Sequence, residues 1–127
     1  PKVVEYNCRF GDPEAQVVLP LVANDLIDVF TALVEQRMAD VEMHFHDGAA
    51  ACVVLASAGY PGSYEKGFEI SGIEQAERVE GVYVFQAGTR REAGRLVTAG
   101  GRVLAVSGLG TDLPAAVESF GKVASRP

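Results

Sequence analysis

The chain has 127 residues, 48% hydrophobic and 22% charged, which suits one domain, or a small domain plus part of a neighbour, and excludes a disordered polymer. No apolar run is long enough to cross a membrane, and 17 acidic against 11 basic residues, a formal net charge of −6, argue against non-specific nucleic-acid binding. The two cysteines, Cys8 and Cys52, lack a CxxC spacing and read as buried free thiols. The opening residues lack the basic and then apolar order of a signal peptide, which fits a cytoplasmic location.

In chain order, Val3 to Asn7 alternates like a short strand that needs neighbours to complete its hydrogen bonds. Gly11-Asp12-Pro13 is a turn, with Asp12 as N-cap and Pro13 at the first position of a helix that runs to Pro20. Asn24 or Asp25 caps a second helix. Its residues Leu26, Ile27, Phe30, Leu33, Val34 and Met38 recur at helical steps and should cover a sheet.

Ala50 to Ala58 reads as a buried strand, ended by the turn Gly59-Tyr60-Pro61-Gly62-Ser63. Lys66 to Gly72 is expected to be extended, and Gly72 to Ala76 a short helix. Gly81 to Ala87 is a further strand and Thr89 to Gly94 a charged turn. Arg95 to Thr98 and Gly101 to Ser107 are expected to pair as a hairpin about Gly100-Gly101. Thr111 or Asp112 caps a last helix carrying Ala115, Ala116, Val117, Phe120 and Val123, and residues 125–127 look frayed. Short connections favour antiparallel pairing, so the fold class is α+β.

Chemistry concentrates at the start. On a strand, Glu5 and Asn7 would share one face, roughly 6.5–7 Å apart at Cα. A carboxylate beside an amide oxygen suits Mg²⁺ or Mn²⁺ and leaves places for water and phosphate oxygens. Arg9 continues the alternation and could hold an anion bidentately. Polar alternation on a solvated strand explains the same three residues equally well. His44 and His46 lack the further ligands that zinc requires and read as solvated. Gly100-Gly101 and Gly108-x-Gly110 lack the residues of a phosphate-binding loop or dinucleotide fingerprint.

The whole string Glu5-Tyr6-Asn7-Cys8-Arg9-Phe10-Gly11-Asp12-Pro13-Glu14, followed by Gln16-Val17-Val18-Leu19-Pro20, resembles the end of the ATP-grasp module in the phosphoribosylamine–glycine ligase family. Gly59-Tyr60-Pro61-Gly62 with Lys66-Gly67, Val84-Phe85-x-Ala87-Gly88-Thr89, and Thr98-x-Gly100-Gly101-Arg102-Val103-Leu104 extend the resemblance along nearly the whole chain.

The resemblance implies the edge of an ATP-grasp domain over residues 1–20. A small C-terminal domain of mostly antiparallel strands with flanking helices would follow over 21–127. It implies ATP-dependent ligation of glycine to 5-phospho-β-D-ribosylamine in purine biosynthesis. Glu5 and Asn7 would bind Mg²⁺ or Mn²⁺ on the ATP phosphates. Arg9 would lie near the transfer, and Arg9, Asp12, Tyr60 and Arg102 would be candidate substrate contacts. For these the alternatives are a surface or ion-paired arginine, a helix cap, a structural turn, and an arginine paired with an acid.

The adenine site and the lysines that touch phosphate belong to upstream parts of the family, and a basic, strand-like tail normally follows the last helix. The chain is therefore expected to be a portion of the enzyme, inactive alone. The alternative is a non-catalytic fragment that docks onto the N-terminal part.

Overall fold

A computed structural model describes residues 2–6 and 8–124. Helices α1 (Ala15–Val18) and α2 (Leu26–Val34) precede strand β1 (Ala49–Ala56); helix α3 (Ile73–Glu77), the consecutive strands β2 (Val82–Gln86), β3 (Thr89–Glu92), β4 (Arg95–Thr98) and β5 (Arg102–Gly110), and helix α4 (Leu113–Ala124) follow. The expected α+β class is observed, with antiparallel pairing throughout the named strands.

The central strand is β5, between β1 and β2 in a sheet of order β1-β5-β2. Its residues Val103 to Gly108 are all buried. Such a strand reads as a continuous apolar run because both of its faces are covered. Helix α4 packs on β5 and β1, and α1 lies against β1 and β5. Ser107, fully buried, donates from Oγ to the Gln16 carbonyl of α1 at 2.6 Å. That bond satisfies a hydroxyl that would otherwise be costly to bury.

On the α4 side the approach is close. A Cβ at Gly108 would collide with the Ala116 carbonyl oxygen, and one at Gly110 with the Ala116 nitrogen. Ala116 itself is 0% exposed. Ser119 Oγ reaches both the Leu109 carbonyl of β5 and the Ala115 carbonyl of its own helix at 3.1 Å. Asp112 caps the helix, accepting from Ala115 N at 2.8 Å.

Several elements differ from the sequence expectation. Residues 2–6 form no strand, because no neighbouring strand supplies the ladder that a lone extended segment needs. Thr89–Glu92 is a strand, and it pairs with Arg95–Thr98. The hairpin therefore turns at Ala93 and Gly94, whose φ values of 47° and 82° are the left-handed pair that matches strand twist. Gly100 instead hydrogen-bonds back to Gly88, and β5 pairs with β1 and β2. The Lys66–Gly72 stretch runs beside β4, with Gly67 N on the Thr98 carbonyl and Ile70 N on the Leu96 carbonyl, both at 2.8 Å.

Asp25 caps α2 by accepting from Ile27 N at 2.8 Å, while Asn24 clamps residues 42–44 through the Glu42 carbonyl and His44 N. The helix stops before Met38, because Gln36 takes φ 57° and Arg37 N returns to the Ala32 carbonyl at 2.8 Å. Its apolar side does not cover a sheet of this chain. Val29 and Ala32 are buried, whereas Ile27, Phe30, Leu33 and Val34 are exposed. Cys8 is exposed and Cys52 half-buried, so the expectation of two buried thiols fails at Cys8. The reading of residues 125–127 as frayed lies outside the described residues. No helix among the described residues is long and apolar enough to cross a membrane.

The close approach at Gly108 makes a pair of substitutions informative. Gly108→Ala should destabilise the chain by about 1–3 kcal/mol, because the helix backbone must retreat. Gly121→Ala, at a helical position with open space around it, should stabilise by roughly 0.5–1 kcal/mol. Urea denaturation of the two variants beside the parent checks both signs. Asp112→Ala should cost about 1 kcal/mol in the same measurement.

Candidate functional site

Residues 2–6 and 8–10 are irregular and exposed, and the chain turns at Gly11, which is buried. Glu14 folds over Gly11 so closely that a Cβ there would meet its carboxylate, and the Gly11 carbonyl accepts from Ala15 N at 3.0 Å. A side chain at position 11 would displace the Glu14 carboxylate from over the turn.

Asp12 is held from two sides. Its carboxylate accepts from Gln16 Nε2 at 2.9 Å and pairs with Arg102 Nη2 at 3.1 Å. Arg102 Nη1 also donates to the Asp12 main-chain carbonyl at 2.9 Å. Asp12 is therefore not the helix cap: Glu14 occupies that position and makes no capping bond with its side chain. The pairing of β5 with β1 shifts between Leu55 and Ala56, which face Leu104 and Arg102 respectively. A bulge re-aims the strand locally, and Arg102 lies at its outer end. An ion pair this exposed contributes about 0–1 kcal/mol. The bond to the main chain adds direction, so two residues 90 positions apart fix where the entering segment meets the sheet.

Tyr60 joins the same corner. Its ring covers Gly101 so tightly that a Cβ there would strike it. Tyr60 and Tyr64 meet edge to face with ring centroids 6.2 Å apart, and Lys66 Nζ sits 5.7 Å from the Tyr64 ring centroid. Ser57 Oγ donates to the Gly100 carbonyl at 2.8 Å and anchors the approach to β5.

The structure thus gathers three of the sequence candidates, Asp12, Tyr60 and Arg102, at the start of β5. Glu5 and Arg9 lie on the exposed entering segment. The Asn7 reading lies outside the described residues. Gln16 was named only as part of a motif, and its four-residue spacing from Asp12 on a nascent helix was the signal for their contact. Its Oε1 is a buried side-chain acceptor without a partner. A cavity of about 290 Å³ lies between this turn and β2, lined by Gly11, Ala15, Gln16, Leu19, Phe85 and Gln86.

The donor chemistry accords with a hard divalent ion only in part. Glu5 offers an exposed carboxylate, but the described residues contain no group of three or more His, Cys, Asp or Glu able to hold a metal. This chain would contribute an edge of such a site, with the other positions filled from elsewhere. His44 and His46 are exposed, as expected for solvated residues.

Comparison with known proteins matches residues 50–126 to the family described as phosphoribosylglycinamide synthetase, C domain. The phosphoribosylamine–glycine ligase of Synechocystis is 54% identical over 117 residues, covering 91% of this chain and 28% of that protein. The trifunctional purine biosynthetic protein adenosine-3 of Gallus gallus is 47% identical over 96% of this chain and 12% of its own length. The crystal structure of the Thermotoga maritima phosphoribosylamine–glycine ligase superposes with a TM-score of 0.71 at 35% identity, over 98% of this chain and 30% of that one. The chain thus spans less than a third of the length of these relatives, matches the family's C domain over residues 50–126, and belongs to the phosphoribosylglycinamide synthetase family.

Proposed function

We propose that this chain is the C-terminal part of a ligase that joins glycine to 5-phospho-β-D-ribosylamine, cleaving ATP to ADP and phosphate. The observation that carries the reading is 54% identity to a phosphoribosylamine–glycine ligase across 91% of the chain. A cytoplasmic location accords with it.

In this reading Glu5 and Asn7 supply oxygen donors to Mg²⁺ or Mn²⁺ at the ATP phosphates. The bound ion would offset charge on the phosphate oxygens. Arg9, four residues beyond Glu5, is the candidate anion contact beside them. Asp12, Gln16 and Arg102 hold the end of that segment against β5, so the donors are presented from a fixed base. Tyr60 packs beneath the same corner and keeps the Gly100-Gly101 connection in place. Arg102, engaged with Asp12, supports the segment from behind, and direct contact with substrate is its secondary role.

Adenine binding and the enclosure of the reacting groups belong to the rest of the enzyme. The isolated chain should therefore show no turnover with ATP, glycine and phosphoribosylamine, whereas a full-length ligase containing it should. Turnover by the purified 127-residue chain would overturn the division of labour. In the full-length enzyme Glu5→Gln should lower activity at least roughly tenfold, the loss found even for groups that merely orient a metal's ligands. Raising Mg²⁺ should recover part of it. A steady-state assay across Mg²⁺ concentrations checks this, and unchanged activity at limiting Mg²⁺ would remove Glu5 from the site.

A further inference from the structure

Gln16 carries an unmatched acceptor. Its main-chain carbonyl takes the Ser107 hydroxyl at 2.6 Å, and its Nε2 donates to the Asp12 carboxylate at 2.9 Å. An ionised carboxylate only accepts, so the atom facing Asp12 is the amide nitrogen and the other is the oxygen. That oxygen, Oε1, is left buried with no donor among the described residues. Buried acceptors nearly always have a partner, and one left without costs stability. A donor from outside the described residues would remove that cost.

Room for such a donor lies beside it, in the cavity of about 290 Å³ between α1 and β2 lined by Gly11, Ala15, Gln16, Leu19, Phe85 and Gln86. The volume falls just below the roughly 300–1,000 Å³ of sites that take drug-sized ligands, which suits one small ring. Among the described residues its walls are apolar side chains, a glycine and two amides, and none is charged. A phosphate, carboxylate or ammonium group would lose its water there without a countercharge. Gln86 Oε1 accepts from Thr89 Oγ1 at 3.1 Å, which leaves its Nε2 to donate. The two amides thus offer an acceptor and a donor beside the Phe85 ring, a set that matches neutral hydroxyl groups. The terminal torsion of a glutamine is soft, so Gln16 Oε1 can swing to meet a hydroxyl seated in the cavity.

Among the reactants of the proposed ligation, glycine is a zwitterion and the phosphates are anions, so the neutral polyol is a ribose ring. We propose that the cavity between α1 and β2 is the subsite for the ribose ring of 5-phospho-β-D-ribosylamine. Gln16 Oε1 accepts from one ring hydroxyl and Gln86 Nε2 donates to one, while the charged groups of the substrate stay outside the apolar walls. The inference rests on the reading of the chain as part of that ligase. ATP carries a ribose as well, but in the same reading its adenosine is held by the rest of the enzyme. Gly11, a wall of the cavity, joins it along the chain to the segment that carries Glu5 and Arg9. Gln16 would thus serve twice, with its nitrogen on Asp12 and its oxygen on substrate.

Calorimetric titration of the full-length ligase with ribose 5-phosphate, which has the ring and phosphate without the reacting amine, tests the proposal. Gln16→Met and Gln86→Met should each weaken binding at least roughly tenfold, because a desolvated hydroxyl loses its partner. The affinity for AMP should be the same in both variants as in the parent. With 2-deoxyribose or 3-deoxyribose 5-phosphate, whichever lacks the hydroxyl that Gln16 meets, the loss on Gln16→Met should shrink to about threefold or less. Gln86 is exposed on β2, so its variant carries the test should Gln16→Met fold poorly. Unchanged ribose 5-phosphate affinity in the variants would overturn the proposal, as would no binding to the parent. So would an equal loss for AMP, or a Gln16→Met loss that is the same for both deoxy sugars. Titration does not read turnover. An inactive ligase that binds with these dependences would refute the proposed reaction and support the subsite, whereas an active one whose titrations ignore both glutamines would refute the subsite alone.

Discussion

Helix α4 lies on β5 at backbone distance, and the other layers are arranged around that contact. Gly108 and Gly110 have no side chains to hold the helix away, so Ala116 sits against the strand with no exposed surface. Close-packed interiors tolerate little change in volume. Backbone contact thereby sets the separation of α4 from β5, and with it the face of β1 that the helix also covers. The other face of β5 closes through Ser107, whose hydroxyl finds its acceptor in α1. One strand therefore holds two helices from opposite sides of the chain, one by close approach and one by a hydrogen bond.

This arrangement bears on function because β5 begins at Arg102. The interior of the strand is rigid and buried, while its first residue reaches the surface and grips Asp12. A weak, exposed ion pair would ordinarily say little about position. Here it acts together with a main-chain bond, the Gln16 amide and the Ser107 anchor on the next turn of the same segment. The Arg102 and Ser107 contacts join residues 12–16 to the sheet, and the Gln16 amide ties Asp12 to its own helix. The rigidity of the C domain is in this way extended to the residues that lead into the candidate metal donors.

Beside that fixed corner, α2 contrasts with α4. Both are amphipathic, but α4 is closed over by the sheet, whereas the larger apolar side chains of α2 remain in water. A helix of nine residues gains little from propensity alone and relies on packing for its stability. Its cap at Asp25 and its left-handed stop at Gln36 define its length locally.

The local chemistry of the chain was legible before any coordinates. The caps read as Asn24 or Asp25 and Thr111 or Asp112, observed at Asp25 and Asp112, the strand runs read at Ala50 to Ala58 and Gly81 to Ala87, observed at Ala49–Ala56 and Val82–Gln86, and the motif strings that place the chain in its family are all written in neighbouring residues. Each depends on hydrogen bonds or periodicity within a few positions. Pairing was not legible in the same way. β4 was assigned to β5, although Ala93 and Gly94 turn it onto β3, because a two-glycine step resembles a hairpin turn in sequence whatever its surroundings. The same limit explains residues 3–6, where alternation favours a strand but a partner is what makes one. Arg102 with Asp12, and Ser107 with Gln16, join positions 90 and 91 residues apart. Sequence by itself determined which segments could form and which donors they carry; only the tertiary structure decided which of them meet, because long-range contacts depend on the packing of the whole sheet and not on any local pattern.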